Sequence, residues 1–332
     1  MESKSIVVDN APELSNGFSA YSSVVPDIPT KDTLHRSRQF SHGSRSRKYF
    51  VDGLVNGSPV SANVDSGASM NIISRSLADT LGLTPDGTVG WISLPTGKKV
   101  PTLGTITGEF NFLGEKSTYP LSCVVMEKTA HALVLGSRFL RITQTLTKYK
   151  SRIKTIFSNV LSLNLLGGQQ DLLLGSCNDL LAAVVPDTGS DLMVMSSAYA
   201  ASIGATIDND IRNRRLVQFI DGSEGLTDGI VKDVDWRFLG NLVGQPIKCD
   251  FHIINNLPVN GIVSNAFLEE FDVFSAYEDI ITGTTHEHAG VYGITLIAKC
   301  RAEIRSLESQ YFQDSKFHNF HDIPILGTWT YQ

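Results

Sequence analysis

The chain has 332 residues, of which 42% are hydrophobic and 19% are charged, and its net charge is −6. This composition supplies buried cores for two ordinary domains and excludes a largely disordered or fibrous protein. The acidic balance argues against nucleic acid as the main partner. No apolar run approaches the ~20 residues that span a bilayer, and the first residues lack the apolar core of a signal peptide. The sequence therefore predicts a cytoplasmic protein with no membrane partner.

Residues 1–47 are rich in Ser, Pro, Asn and Asp and end in a basic Ser/Arg run. Because such a segment cannot bury enough apolar surface to offset its chain entropy, we predict a disordered arm. An RNA-contacting tail and a cleavable pro-segment are the alternatives.

A first folded unit is predicted over residues 48–157. Apolar and β-branched residues flank Asn56-Gly57, which is a strong hairpin signal. The sequence DSGASMNIIS follows, and then a short helix that ends at Gly82. Short strands separated by Gly and Pro turns lead to ALVLGSRFL, so this unit is predicted to be an all-β lobe.

The same pattern then starts again, after a linker at 164–170. Asp65 lies 9 residues after Asn56, and Asp187 lies 9 residues after Asn178. The glycine that ends the short helix comes 17 residues after the aspartate in both halves. These spacings predict a second lobe over 158–283 and an all-β fold of two pseudo-symmetric lobes with a cleft between them.

The remaining residues, 284–332, are predicted to form a tail with an amphipathic helix. The tail contains His286-Glu287-His288, whose spacing matches no standard zinc site. The chain has no GxGxxG or P-loop pattern, and its four cysteines form no CxxC pair. We therefore predict no cofactor, no metal and no disulfide scaffold. Cys123 and Cys249 recur at corresponding strands and are expected to be buried apolar residues.

The repeat gives Asp65 and Asp187 equivalent positions, so a pseudo-two-fold axis between the lobes would bring them together. Two carboxylates in contact cannot both ionise cheaply, and they share a proton. The ionised one can activate a water while the protonated one polarises a carbonyl, which is sufficient to hydrolyse an amide.

The neighbours of each aspartate fit this role. Gly67 and Gly189 allow close approach of the two loops, and the hydroxyls of Ser66 and Thr188 can hydrogen-bond across the axis.

The motifs DSGA and DTGS, the apolar strands before them and ALVLGSRFL resemble the aspartic proteases, and the first half is most similar to the retroviral-type (retropepsin-like) branch. The resemblance implies a single-chain enzyme whose lobes meet over the dyad beneath hairpin flaps. It places candidate flap turns at Gly97 and Gly222. It also implies a polypeptide substrate and a monomer with an intramolecular lobe interface.

The second lobe departs from the family pattern. The first lobe keeps the glycine that follows two apolar residues behind the active-site loop, at Gly136, whereas the second lobe has Ser264 there. Pro186 removes a backbone donor just before Asp187, and neither flap candidate contains the tyrosine of pepsins. These departures support a second hypothesis, a catalytically silent module that binds peptides or proteins. A third is acid-base chemistry on a small molecule in the same cleft.

The residue three positions after each aspartate also differs, Ala68 in the first lobe and Ser190 in the second. In the family this position lies near the outer carboxylate oxygen. A donating Ser190 hydroxyl would lower the pKa of Asp187. The resemblance thus predicts that Asp187 carries the negative charge and that Asp65 carries the proton.

Overall fold

The computed structural model describes residues 38–40, 46–167, 170–240 and 245–283. The predicted C-terminal tail and its histidines lie outside these residues, as does the predicted arm up to residue 37. Both lobes belong to one compact unit of the chain. Among the described residues, no helix has the length and apolarity needed to cross a membrane.

The first half of the chain consists of short strands and two short helices. In chain order these are β1 (Arg38–Phe40), β2 (Ser46–Val55), β3 (Ser58–Val64), β4 (Asn71–Ser74), α1 (Arg75–Thr80), β5 (Trp91–Ser93), β6 (Lys99–Pro101), β7 (Thr105–Phe112), β8 (Thr118–Met126), β9 (Leu133–Leu135), α2 (Ser137–Ile142) and β10 (Lys154–Ser158).

The second half repeats this order. Its elements are β11 (Asp171–Cys177), β12 (Leu180–Pro186), β13 (Val194–Ser196), α3 (Ser197–Ser202), β14 (Leu216–Gln218), β15 (Glu224–Leu226), β16 (Gly229–Phe238), β17 (Ile247–Ile254), β18 (Gly261–Val263), α4 (Asn265–Glu270), α5 (Val273–Ala276) and β19 (Ile281–Gly283).

Each lobe closes a ring of six strands. In the first lobe the order is β2-β3-β9-β4-β8-β7, and β7 pairs back with β2. In the second lobe the order is β11-β12-β18-β13-β17-β16, and β16 pairs back with β11. Every strand thus has its counterpart at the same place in the other ring. The predicted all-β fold of two pseudo-symmetric barrel lobes is confirmed.

The local signals that predicted the repeat have matching structural roles. The β2–β3 turn places Asn56 and Gly57 at positive φ, and the β11–β12 turn does the same with Asn178 and Asp179. Serine caps the helix after each aspartate loop. Ser74 accepts from the Leu77 amide and Ser196 from the Tyr199 amide, so an orphan helix N–H is satisfied in both lobes.

Each lobe has its own apolar core. Cys123 on β8 and Cys249 on β17 lie in these two cores, as predicted, and both are buried. A third cluster lies between the lobes, and we call it the interlobe cluster. It includes Leu94, Leu166, Val185, Val217 and Ile220. Apolar side chains of both lobes therefore pack together in one cluster.

The predicted arm needs a correction where the structure describes it. Arg38–Phe40 forms β1, which pairs in parallel with β17 of the second lobe, and Phe40 is buried in that lobe's core. Ser46 and Arg47 already belong to β2. Apolar burial of Phe40 stabilises a segment whose overall composition predicted an arm.

Candidate active site

Two equivalent strands deliver the aspartates to the lobe interface. Asp65 follows β3, and its amide donates to the carbonyl of Leu135 on β9 at 3.1 Å. Asp187 follows β12, and its amide donates to the carbonyl of Val263 on β18, also at 3.1 Å. Both side chains are fully buried. The repeated sequence thus builds two copies of one loop that face each other.

Ser66 and Thr188 hold the two loops together. The amide of Ser66 donates to Thr188 Oγ1 at 2.9 Å, and the amide of Thr188 donates to Ser66 Oγ at 2.9 Å. Each hydroxyl then donates to the strand of the opposite lobe, Thr188 to the carbonyl of Val64 and Ser66 to that of Pro186. Because each hydroxyl is both acceptor and donor, neither loop can shift without breaking bonds in the other.

The glycines bring each loop against the opposite carboxyl group. A Cβ atom on Gly67 would lie 2.3 Å from Cγ of Asp187, and one on Gly189 would lie 2.6 Å from Oδ2 of Asp65. No side chain fits at either distance. The two carboxyl groups therefore face one another across the space that these glycines leave open.

The backbone holds one oxygen of each carboxyl group. The amides of Gly67 and Ala68 donate to Oδ1 of Asp65 at 3.0 and 3.1 Å, and the amide of Gly189 donates to Oδ1 of Asp187 at 2.7 Å. Oδ2 of both aspartates is buried without a hydrogen-bond partner among the described residues. These two oxygens are the carboxyl atoms that retain hydrogen-bonding capacity.

The pKa values of both aspartates are raised, chiefly by burial. The pKa of Asp65 lies well above the ordinary value, and the negative charge of Asp187 adds to the effect of burial. Burial also raises the pKa of Asp187, to about 6, but backbone donors led by Gly189 oppose the rise. The two carboxyl groups therefore share a proton above the ordinary pKa of an aspartate, and a preference for the negative charge on Asp187 stays a prediction.

The cause proposed for this preference from the sequence is wrong. The Ser190 hydroxyl donates to the carbonyl of Leu192 at 2.8 Å, not to the carboxylate of Asp187. Both aspartates are fully buried, and backbone amides donate to both of them, two to Asp65 and one to Asp187. The direction of this hydroxyl could not be predicted from sequence, because it depends on the path of the loop that follows Ser190.

The departures noted in the second lobe leave its backbone frame intact. In the first lobe no side chain fits at Gly136, because a Cβ atom there would lie 2.5 Å from the carbonyl oxygen of Met70. In the second lobe the equivalent Ser264 has a side chain, which is fully buried and caps α4. The residue after this position makes the same backbone hydrogen bond in both lobes. The Ser137 amide donates to the Ala68 carbonyl at 2.8 Å, and the Asn265 amide donates to the Ser190 carbonyl at 2.8 Å.

Two hairpins stand at the predicted flap positions. β5 pairs with β6 and β14 pairs with β15, and the turns contain Gly97 and Gly222 at φ 79° and 78°. Positive φ at these turns favours glycine. Each hairpin belongs to one lobe and contacts a residue of the other lobe. Lys98 Nζ lies 3.3 Å from Oδ2 of Asp221, and the Ala130 amide donates to the Ile220 carbonyl at 2.7 Å.

Sequence reasoning missed a buried ion pair beside the dyad. Lys48 Nζ lies 2.6 Å from Oδ2 of Asp191, and both side chains are less than a tenth exposed. Ser46 Oγ and the Ser162 amide also donate to this carboxylate. Burial lowers the pKa of Lys48, although the charge of Asp191 opposes the decrease. A carboxylate only four residues after Asp187 was the available signal, since the first lobe has Ser69 there.

The described residues contain no group of three His, Cys, Asp or Glu side chains that would hold a metal ion. The chemistry available at the dyad is proton transfer between two carboxyl groups and a bound molecule.

Comparison with known proteins supports the first lobe most directly. Residues 51–142 match the family model of the gag-polyprotein putative aspartyl protease. A solved structure, the retroviral protease-like domain of Ddi1 from Leishmania major, is 26% identical. The match covers 29% of this chain and 78% of that one, with a TM-score of 0.24. No curated protein matches the chain. The family match confirms the resemblance of the first lobe to the retroviral-type aspartic proteases.

Proposed function

We propose that this chain, whose first lobe resembles the retroviral-type aspartic proteases, is a single-chain aspartic endopeptidase with Asp65 and Asp187 as its catalytic pair. The observation that carries the proposal is the symmetric approach of two fully buried carboxyl groups, each held by the loop of its own lobe and packed against the glycine of the other. Burial of a carboxylate lowers the stability of a fold, so a pair of buried acids with no function would only destabilise this one.

The two aspartates have different roles in the proposed reaction. Asp187, the ionised member, takes a proton from a water bound between the free Oδ2 atoms. Asp65, the protonated member, donates a hydrogen bond to the oxygen of the scissile carbonyl as that oxygen becomes negative. The water oxygen bonds to the carbonyl carbon, the C–N bond breaks as the proton taken by Asp187 passes to the leaving amine, and the products are a carboxylic acid and an amine. No covalent intermediate with the protein is formed.

The rest of the site keeps these groups in place. The exchanged bonds of Ser66 and Thr188 fix the spacing of the loops, so little reorganisation accompanies the reaction. The flap hairpins and the interlobe cluster exclude water, which strengthens each interaction of the dyad.

The direct test is hydrolysis of an unstructured protein by the full chain at mildly acidic pH. We expect Asp65→Asn and Asp187→Asn each to reduce the rate by about 10²-fold or more, because each removes one partner in proton transfer. Asp79→Asn, at an exposed carboxylate on α1, is the matched control and should retain full activity. Retention of hydrolysis in both dyad variants would exclude the proposal.

A catalytically silent peptide-binding module is the second candidate, and one observation favours it. The family model ends at residue 142, so the lobe that carries Asp187 is not matched. Such a module would bind a statine-type peptide and leave an unstructured protein intact. Binding without hydrolysis at any pH between 4 and 7 would therefore decide for this candidate.

A further inference from the structure

One stretch of the chain between the lobes lies in an extended conformation beside both aspartate loops. This stretch, residues 161–166, is called here the interlobe segment. At its C-terminal end the Leu166 amide donates to the carbonyl of Gly67, and the Ser69 amide donates to the carbonyl of Leu166, both at 3.1 Å. Gly67 and Ser69 are the second and fourth residues after Asp65. One end of the segment is thus paired, as a short strand, with the first aspartate loop.

The other end is held by the second aspartate loop. The Ser162 amide donates to Oδ2 of Asp191 at 2.7 Å, and the Asp191 amide donates to the carbonyl of Ser162 at 3.0 Å. Asp191 is the fourth residue after Asp187 and is therefore the counterpart of Ser69. Equivalent residues on the two sides of the axis clamp Ser162 and Leu166, so the middle of the segment, around Asn164, crosses the axis on which the dyad lies.

The second flap hairpin covers the same segment from the opposite side. The Leu163 amide donates to the carbonyl of Gln218 at 3.0 Å, and the Gln218 amide donates to the carbonyl of Leu161 at 2.8 Å. Gln218 ends β14. The segment therefore lies between the aspartate loops and a flap, with backbone bonds to each of them.

The side chains of the segment are buried as well. Leu163, Leu165 and Leu166 are at most 2% exposed and belong to the interlobe cluster, together with Val217 and Ile220 of the flap hairpin. Apolar side chains flank the polar Asn164 on both sides. The cleft is thus shaped to hold an extended, leucine-rich polypeptide by its backbone.

We propose that the interlobe segment occupies the polypeptide-binding cleft of this chain and blocks it until the segment is displaced. This inference rests on the proposed function only in treating the cleft as a polypeptide site. Because the segment is tethered at both ends, it competes with an external peptide at a high effective concentration. It also indicates the class of ligand that displaces it, an extended peptide with apolar side chains on both sides of the central bond.

The test compares Leu166→Pro with Leu166→Ala in the full chain. Both remove the leucine side chain, but only proline also removes the N–H that donates to Gly67. The readout is calorimetric binding of a statine-containing hexapeptide with leucine side chains, which needs no hydrolysis. We expect Leu166→Pro to bind at least ~10-fold more tightly than the unchanged chain, with Leu166→Ala between the two. Equal binding by all three proteins would overturn the block.

Hydrogen exchange on the unchanged chain gives an answer that does not depend on how the variants fold. The amides of Ser162, Leu163 and Leu166 should exchange as slowly as those of β3 and β12, because each donates a buried hydrogen bond. Exchange at the rate of an open loop would overturn the proposal. If these amides are protected and the binding order holds while no variant hydrolyses protein, the endopeptidase proposal fails and the occupied cleft stands.

Discussion

The two lobes share one strand path but differ in the loops that carry the aspartates. Both close the same six-strand ring, both exchange a hydroxyl bond across the axis, and both use a serine to cap the helix that follows. The fourth residue after the aspartate is different. In the first lobe Ser69 donates only a backbone N–H to the interlobe segment, whereas in the second lobe the Asp191 carboxylate takes part in a buried ion pair.

The pattern of this difference is informative. The lobes are alike wherever one lobe contacts its own symmetry mate, at the hydroxyls and at the glycines. They differ where both contact a feature present once in the chain, the interlobe segment. Two identical chains would have to present the same residue to both sides of such a feature. A duplicated lobe in a single chain is free of that constraint, and its two loops can specialise.

The largest expected effect tests the glycines of the aspartate loops, where the two lobes are alike. Gly67→Ala and Gly189→Ala each place a methyl group against the opposite carboxyl, at 2.3 and 2.6 Å from its nearest atom. Both variants should lose hydrolysis by about 10²-fold or more, since displacement of a catalytic group by 1 Å is costly. Similar losses, measured as kcat/KM on one peptide, would support functional symmetry. Loss in only one variant would show that a single loop carries the chemistry.

The next largest effect tests the fourth residue after each aspartate, where the two lobes differ. Asp191→Asn leaves the buried Lys48 ammonium without its carboxylate and should lower the free energy of unfolding by about 3–5 kcal/mol. Ser69→Ala, at the equivalent position of the first lobe, should lower it by less than ~1 kcal/mol, because its bond to the segment comes from the backbone.

Urea unfolding of both variants measures the comparison. The double variant Lys48→Met, Asp191→Asn should recover part of the loss, because no unpaired charge remains buried. Equal losses in Asp191→Asn and Ser69→Ala would contradict the asymmetry.

A smaller effect concerns the pH dependence of stability. Burial raises the pKa values of Asp65 and Asp187 above that of an unfolded aspartate, so the folded state binds more protons between those values. The free energy of unfolding contributed by the pair is thus highest below about pH 4 and decreases as the pH rises through the folded pKa values.

Asp65→Asn and Asp187→Asn should each flatten this decrease, because each removes one of two buried carboxyl groups whose pKa values are raised. At pH 7 we expect both variants to be more stable than the unchanged chain. Urea titrations at pH 5 and pH 7 provide the measurement. A steeper loss of stability in either variant than in the unchanged chain would contradict the raised pKa values of the pair.

The smallest expected effect is at Ser190. Its hydroxyl donates to the Leu192 carbonyl, so Ser190→Ala should leave the pH optimum of hydrolysis within about half a pH unit of the unchanged chain. Stability should fall by about 1 kcal/mol for the lost hydrogen bond. A shift of a full unit would mean that the hydroxyl turns toward Asp187 when a substrate is bound.

Much of the fold and the centre of the site follow from the sequence, because the signals that specify them are local and occur twice. The two D-[ST]-G motifs, the hairpin turn before each and the short helix after each recur at equal spacing, and the turn glycines Gly97 and Gly222 recur at similar distances from the aspartates. A repeat of this kind implies a pseudo-symmetric pair of lobes, and the symmetry in turn places Asp65 opposite Asp187.

Tertiary structure alone decided the contacts that break the repeat. Lys48 and Asp191 are separated by 143 residues, and no pattern along the chain links a lysine on a first-lobe strand to a carboxylate in the second lobe. The direction of the Ser190 hydroxyl depends on the path of one loop. The interlobe segment has the composition of any apolar stretch, and the cleft it fills exists only after both lobes have folded. Local sequence carries information about turns, caps and strand periodicity, whereas the partner of a buried charge or of an extended segment is set by which surfaces the fold brings together.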